Sequence, residues 1–365
     1  MSPETPGSFR HINILLLLGS MAITFCVFEA VARIFLPSPL PWLYPQVRYR
    51  PDPLLLFALR PNQDVFTADK RALINSHGLR GEPIPYERSL RSPRIEFLGD
   101  SIVFGYGIRN AETVSSRTRR LLIARGIPSD TLNTGVPSYN TEQEATFLEQ
   151  EGLRYRPDWV VVGVCWNDIN DKLGIRVSGD GWLISAGERE SERFRSFGES
   201  PAGYALRNAL KRSRLLYAVS QGLRVMQGWL TPDSHALFRD DVLEGRDTPQ
   251  VSAGWNLMAR AMERLRAVSV KGGFRVLVVA FPLPIKLESD YPHCSFPSRL
   301  EAIVRSNGLF YLDLEPAFRA DYHGHDSLFI PYDGDHPNAA GHDLAARAIS
   351  QFLIAHGVAS FHAPE

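Results

Sequence analysis

Residues 94–105, RIEFLGDSIVFG, join a largely apolar run of strand length to a small polar turn, and this junction decides the fold. A short apolar run bounded by turn residues is typical of a buried β-strand. Similar runs recur along the chain with helical patterns between them, which indicates a parallel sheet with right-handed crossovers. We expect an α/β fold, a three-layer α/β/α sandwich whose five parallel strands are 94–99, 131–133, 158–164, 274–281 and 309–314.

The helices between these strands are predicted from apolar spacing and from end signals. Gly126 closes the first of them, and Thr141 is the expected N-cap of the second. The expected helices are 113–126, 141–153, 253–268, 298–306 and 339–356.

Composition excludes several classes of protein. The chain has 365 residues, is 44% hydrophobic, and balances 40 Lys+Arg against 40 Asp+Glu. These values exclude a disordered chain and a multi-span membrane protein. Because the net charge is zero, the chain also lacks the excess of basic residues that is typical of a nucleic-acid binder. Three cysteines without a C-x-x-C pair argue against a disulfide scaffold and a thiolate zinc site.

An apolar segment near the N-terminus, residues 12–36, has the length of a membrane span. As a helix it measures about 37 Å, which exceeds a hydrocarbon core of about 30 Å. Glu29 and Arg33 lie one turn apart and can pair at its end. We expect residues 1–36 to be a single-pass membrane anchor with the catalytic domain periplasmic or extracytoplasmic. A cleaved signal peptide and a buried soluble helix are the alternatives.

The rest of the chain divides into an extension and a main domain. Residues 37–92, rich in proline, are expected to form a linker and an irregular N-terminal extension with short strands. Residues 93–358 hold the expected sheet, with an insertion at about 169–250 after the third strand. The insertion carries an apolar and basic run, 204–230, at about helical spacing. It is expected to be a helical insertion packed on the sheet edge, a lid, or a basic helix on a membrane surface.

Polar residues, and after the second strand a glycine, follow four of the expected strands. Ligands of an open parallel sheet bind outside the carboxyl ends of its strands, so these residues are expected to converge. The residues are Asp100 and Ser101, Gly135, Asn167 and Asp168, and Asp333 and His336.

This set of residue types points to nucleophilic catalysis. A serine hydroxyl is a poor nucleophile until a base takes its proton, and His336 is the candidate base for Ser101. Asp333, three residues earlier, can hold the second ring nitrogen of His336, and Asp335 is its rival for that role. Asp100 is expected to position the serine loop.

The four segments resemble blocks I, II, III and V of the SGNH hydrolase superfamily, also called GDSL esterases. The motif GDS-x-x-x-G is complete at 99–105, and Asp-x-x-His stands at 333–336; residues 75–81, NSHGLRG, resemble a run upstream in bacterial members. The resemblance implies a flavodoxin-like sheet and an oxyanion hole formed by the Ser101 amide, the Gly135 amide and the Asn167 side chain. Cys165 stands where the family usually has glycine.

The resemblance implies a serine-dependent ester hydrolase with an acyl-enzyme mechanism. Next to a membrane, we expect its substrate to be an O-acyl ester of a cell-envelope glycan or lipid. An O-acyltransferase and a catalytically idle envelope-binding module are the alternatives. No cofactor, metal ion or nucleic acid is expected; the expected partners are the ester substrate and, through the N-terminal helix, a membrane.

Overall fold

The computed structural model describes residues 7–36, 42–87, 92–170, 174–185, 200–219, 234–288, 295–331 and 333–360. The chain forms two compact units. One consists of residues 1–44 and 193–233, and the other of residues 45–192 and 234–365. The second unit contains the sheet and the predicted site residues.

Two antiparallel hairpins precede the sheet, in the region expected to hold short strands. Tyr139 Oη and Gln143 Nε2 donate to the backbone carbonyls of Phe57 (2.6 Å) and Leu55 (2.7 Å), so the first hairpin is bonded to the loop and helix after the second strand of the sheet. The hairpin strands are β1 (Tyr49–Asp52), β2 (Leu56–Leu59), β3 (Gln63–Thr67) and β4 (Lys70–Ile74).

Five parallel strands form the central sheet, as predicted. They are β5 (Arg94–Gly99), β6 (Asp130–Asn133), β7 (Trp159–Val164), β10 (Arg275–Ala280) and β11 (Phe310–Asp313), and a small hairpin of β8 (Ile175–Val177) and β9 (Leu183–Ser185) intervenes. Their order is β11-β10-β7-β5-β6, the doubly wound order 2-1-3-4-5 in which the switch point lies between the first and third strands.

Burial explains why the central strands could be predicted. Every residue of β5 and β7 is buried, as in a parallel sheet covered by helices on both faces. The two strands pair in parallel, with Gly99 opposite Gly163 at their carboxyl ends. In open α/β sheets the ligand-binding crevice lies beyond the carboxyl ends of the strands at the switch point, which here is the end marked by these glycines.

The five predicted helices of the main domain are present with shifted ends, whereas Ser234–Leu243 and Glu315–Asp321 were not predicted as separate helices. In the second unit the longer ones are Val114–Ala124, Thr141–Gln150, Ser234–Leu243, Pro249–Gly272, Phe296–Ser306, Glu315–Asp321 and Ala339–Ala355. Asn140, and not Thr141, caps the helix Thr141–Gln150. Its side chain accepts the Gln143 amide at 3.0 Å, and the Gln143 side chain accepts the Asn140 amide at 3.2 Å, a reciprocal capping box.

The first unit is helical in its described part. Helix Gly7–Phe35 contains a stretch, His11–Phe35, of 25 residues and mean hydropathy 2.3, long and apolar enough to cross a membrane. The predicted helical run of the insertion is divided: helix Pro201–Leu210 ends, and a second helical segment spans 214–219. Residues 220–230 of that run lie outside the described residues.

Candidate active site

Ser101 lies one residue beyond Asp100, which follows β5 directly, and is the first residue of the short helix Ser101–Phe104. The Asp100 side chain caps this helix by accepting the Ile102 amide at 2.8 Å. Gly105 ends the helix at φ +81°, in the left-handed region that favours glycine. The DSIVFG sequence therefore makes one tight turn that places the hydroxyl at the switch-point crevice.

His336 and Asp333 complete a chain of hydrogen bonds from this hydroxyl. Ser101 Oγ lies 2.8 Å from His336 Nε2, and His336 Nδ1 lies 2.7 Å from Asp333 Oδ1. The same carboxylate oxygen accepts the backbone amides of Asp335 (3.0 Å) and His336 (2.9 Å). These amides fix the carboxylate, and the ring nitrogen contacts Asp333 as the sequence spacing predicts.

The electrostatics of the pair favour a charged imidazole. Burial lowers the pKa of His336, but its hydrogen bond to Asp333 and the charges of Asp333, Asp100 and Asp335 outweigh burial and raise it above the ordinary value. Burial raises the pKa of Asp333, whereas its hydrogen bonds from His336 and from the backbone lower it to about 2. Asp333 is therefore ionised at neutral pH and can stabilise an imidazolium.

Asn167 is held at both ends of its carboxamide. Its Nδ2 donates to Asp100 Oδ2 at 2.9 Å, and Cys165 Sγ donates to its Oδ1 at 2.8 Å. Burial, with the charges of Asp100 and Asp168, raises the pKa of the Cys165 thiol well above the ordinary value. Cys165 is thus a neutral thiol that orients the Asn167 carboxamide.

Gly135 packs against the backbone of the serine helix. A Cβ atom at Gly135 would lie 2.4 Å from the Phe104 amide nitrogen, which explains why glycine is required there. The Gly135 amide donates to Asn133 Oδ1 at 3.1 Å, and Asn133 Nδ2 donates to the Val103 carbonyl at 2.9 Å. Asn133 therefore connects the Gly135 loop to the serine helix.

Two contributors to the site were not among the predicted site residues. The Tyr106 ring centroid lies 4.7 Å from that of His336, so this ring forms one wall beside the imidazole. Arg80, from the NSHGLRG run, is buried and donates to the carbonyls of Gly105 (2.7 Å) and Ile108 (2.6 Å). In the sequence, the NSHGLRG run at 75–81 was the feature that could have indicated a role for Arg80. For Tyr106 the only indication was its position directly after Gly105, the last residue of the GDS-x-x-x-G motif.

The doubly wound sheet brings a serine, a histidine and a carboxylate together at its switch point, an arrangement that recurs in hydrolases with a serine nucleophile. Residues 97–344, more than half of the chain, match the model of the GDSL-like lipase/acylhydrolase family. The chain belongs to this family, which confirms the predicted resemblance, and it is an enzyme that hydrolyses esters.

Several solved structures are similar to this chain at low identity. A lipase/acylhydrolase from Enterococcus faecalis is 17% identical over 72% of this chain and 96% of its own, with a TM-score of 0.39. An acetyl xylan esterase from Geobacillus stearothermophilus is 14% identical over 76% and 100%, with a TM-score of 0.41. A two-domain esterase active on acetylated mannans is 16% identical over 75% and 51%, with a TM-score of 0.42. No curated protein matches the chain.

Proposed function

We propose that this protein is a serine esterase in which Ser101 is the nucleophile, His336 the general base and Asp333 the residue that orients the imidazole. The observation that carries the proposal is the continuous chain of hydrogen bonds Ser101–His336–Asp333, with links of 2.8 and 2.7 Å. Membership of an ester-hydrolysing family supports it.

In this mechanism the Ser101 hydroxyl attacks the ester carbonyl carbon while His336 Nε2 takes its proton. The tetrahedral oxyanion that forms collapses to an acyl-enzyme as the bond to the alcohol oxygen breaks, and the imidazolium gives its proton to that oxygen, which leaves as the free alcohol. Water then attacks the acyl-enzyme, with His336 again as the base. Asp333 stabilises the imidazolium in both halves of the reaction.

The oxyanion of each tetrahedral intermediate needs donors, and we assign these to the Ser101 amide, the Gly135 amide and Asn167 Nδ2. The Gly135 amide carries one proton, which is donated to Asn133 Oδ1 in this structure. Substrate binding must therefore exchange or share that bond. Asn167 Nδ2 carries two protons and donates one of them to Asp100 Oδ2 in this structure.

The proposed substrate is an O-acyl ester of a glycan or lipid of the cell envelope. The support is the helix His11–Phe35, which is long and apolar enough to hold the protein at a membrane. In this proposal the helix anchors the chain and the hydrolase domain lies on the outer face of that membrane.

The test uses the full-length protein in detergent and p-nitrophenyl esters from acetate to palmitate. Ser101→Ala is expected to lower kcat/KM by at least about 10³-fold, and Ser252→Ala, a partly exposed serine on helix Pro249–Gly272, is the matched control. Unchanged turnover in Ser101→Ala would overturn the proposal. Chain-length preference then separates short glycan acyl groups from lipids, and an added acceptor sugar separates hydrolysis from acyl transfer.

A further inference from the structure

The helix Pro201–Leu210 turns an apolar face outward. Arg207 and Asn208 are half-buried on its other side, whereas a surface helix of a water-soluble unit buries its apolar side. Leu206 and Leu210, one turn apart, are 50% and 48% exposed. The exposed residues on this face are Ala202, Ala205, Leu206, Ala209 and Leu210.

The segment that follows continues this pattern. In the helical segment 214–219, Leu216 and Val219 lie three residues apart and are 36% and 54% exposed. We call these two residues, together with the five exposed residues of helix Pro201–Leu210, the apolar face.

The turn between the two helical segments is bonded to the end of the spanning helix. The Glu29 carboxylate accepts the Ser213 hydroxyl at 2.7 Å and the backbone amides of Arg214 (3.2 Å) and Leu215 (3.1 Å). The Arg214 guanidinium donates to the carbonyls of Arg33 (2.6 Å), in the last turn of that helix, and of Leu36 (2.7 Å), the residue that follows it. Five hydrogen bonds thus join the turn to the place where the helix ends.

The position of Glu29 sets the depth of this turn in a bilayer. Glu29 lies about 27 Å along the helix from His11, at about 1.5 Å per residue. A hydrocarbon core about 30 Å thick, entered near His11, therefore ends close to Glu29. Residues 213–215, where the turn passes into the second helical segment, lie at the same depth, and the apolar face extends from them in both directions along the chain.

Basic and aromatic side chains lie together beside this face. Lys211 Nζ is 5.0 Å from the Tyr44 ring centroid and 5.7 Å from that of Trp42, and the Arg207 guanidinium is 5.2 Å from the Tyr44 centroid. The Tyr44 amide and carbonyl both bond the Asn208 carboxamide. Aromatic and basic side chains are enriched at the level of lipid headgroups, where cations meet phosphates.

We infer that the apolar face is a second membrane contact: it inserts into the bilayer leaflet from which helix Gly7–Phe35 emerges, with Arg207 and Lys211 at the lipid phosphates. The occupant of the face is lipid. The inference goes beyond the proposed esterase activity and requires only that the N-terminal helix spans the bilayer.

The test is photo-crosslinking of the full-length protein in vesicles of phosphatidylethanolamine and phosphatidylglycerol that contain an alkyne-tagged phospholipid. A benzophenone amino acid replaces Leu206 or Leu216 in separate variants. The positive control carries it at Leu16, within the span, and the negative control at Val270, which is 63% exposed on a helix of the other unit. Lipid adducts at Leu206 and Leu216 are expected to exceed those at Val270 by at least about tenfold.

Each other outcome overturns the inference in a recognisable way. Adducts at Leu16 without adducts at Leu206 and Leu216 refute the second contact and leave the anchor intact. Protein adducts at those two positions show that a protein covers the face. No adduct at Leu16 refutes the span, and the inference falls with it. Crosslinking to lipid does not depend on ester hydrolysis. A protein that lacks the proposed esterase activity can therefore still confirm or refute the membrane contact.

Discussion

Gly135 packs so closely against helix Ser101–Phe104 that one added methyl group must move Ser101, the proposed nucleophile. The Cβ of an alanine would lie 2.4 Å from the Phe104 nitrogen and 2.9 Å from the Val103 carbonyl carbon. Both are backbone atoms, so no side chain can turn away, and relief to ordinary contact requires a displacement of about 1 Å. A misplacement of that size costs about 10² in rate, so Gly135→Ala is expected to lower kcat/KM about 100-fold.

The assay compares p-nitrophenyl acetate with longer acyl esters and adds thermal unfolding. If packing is the cause, the loss is similar for all acyl lengths and stability also falls, by about 1–3 kcal/mol. If the methyl group only obstructs the substrate, the loss grows with acyl size and stability is unchanged. Gly179→Ala is the matched control, because a Cβ there meets nothing within 4 Å. Full activity and stability in Gly135→Ala would refute the reasoning.

Three further predictions concern ionisable side chains: Arg80, the pair His336 and Asp333, and Glu96. Arg80→Met leaves the buried carbonyls of Gly105 and Ile108 without their guanidinium donor. The free energy of unfolding, measured by urea denaturation, should fall by about 3 kcal/mol, and an unchanged value would contradict this account. His336 acts as a base only when it is neutral, and its pKa is raised, so kcat/KM should fall with decreasing pH through a midpoint above about 6.5. Asp333→Asn should lower that midpoint and reduce kcat/KM about 10⁴-fold. A pH profile of Asp333→Asn with the same midpoint would contradict the assignment. Burial raises the pKa of Glu96 from 4.5 to about 8, so between these two pH values the folded state retains a proton that the unfolded chain releases. Stability should therefore fall as pH rises from 4.5 to about 8. Glu96→Gln should flatten this dependence, measured as the difference in melting temperature between about pH 5 and about pH 8.

The sheet could be predicted because its signal is local. The run 158–164 is apolar at almost every position, and the strand Trp159–Val164 is buried throughout. The N-cap of helix Thr141–Gln150 could not be predicted from the local sequence, since Asn140 and Thr141 are both good N-cap residues. A distant contact favours Asn140, whose Nδ2 donates to the Asn170 carbonyl at 2.9 Å.

The site divides in the same way. Ser101, His336 and Asp333 were predicted together because the chemistry restricts residue type and topology brings strand ends to one edge. The reason for glycine at position 135 was not predicted as the structure shows it, because the contact is with the backbone of Phe104, some thirty positions earlier. The role of Cys165 likewise depends on its carboxamide partner, Asn167, whose rotamer no sequence pattern specifies.

The hydrogen bond between Ser101 and His336 joins residues 235 positions apart, which has a consequence for the timing of activity. A ribosome that adds about 5–20 residues per second needs on the order of tens of seconds to pass from one to the other. During that interval the apolar N-terminal helix and the serine already exist, but the imidazole does not. If the proposed roles hold, a nascent or truncated chain that stops before His336 carries a nucleophile without a base, and ester cleavage requires synthesis to pass residue 336.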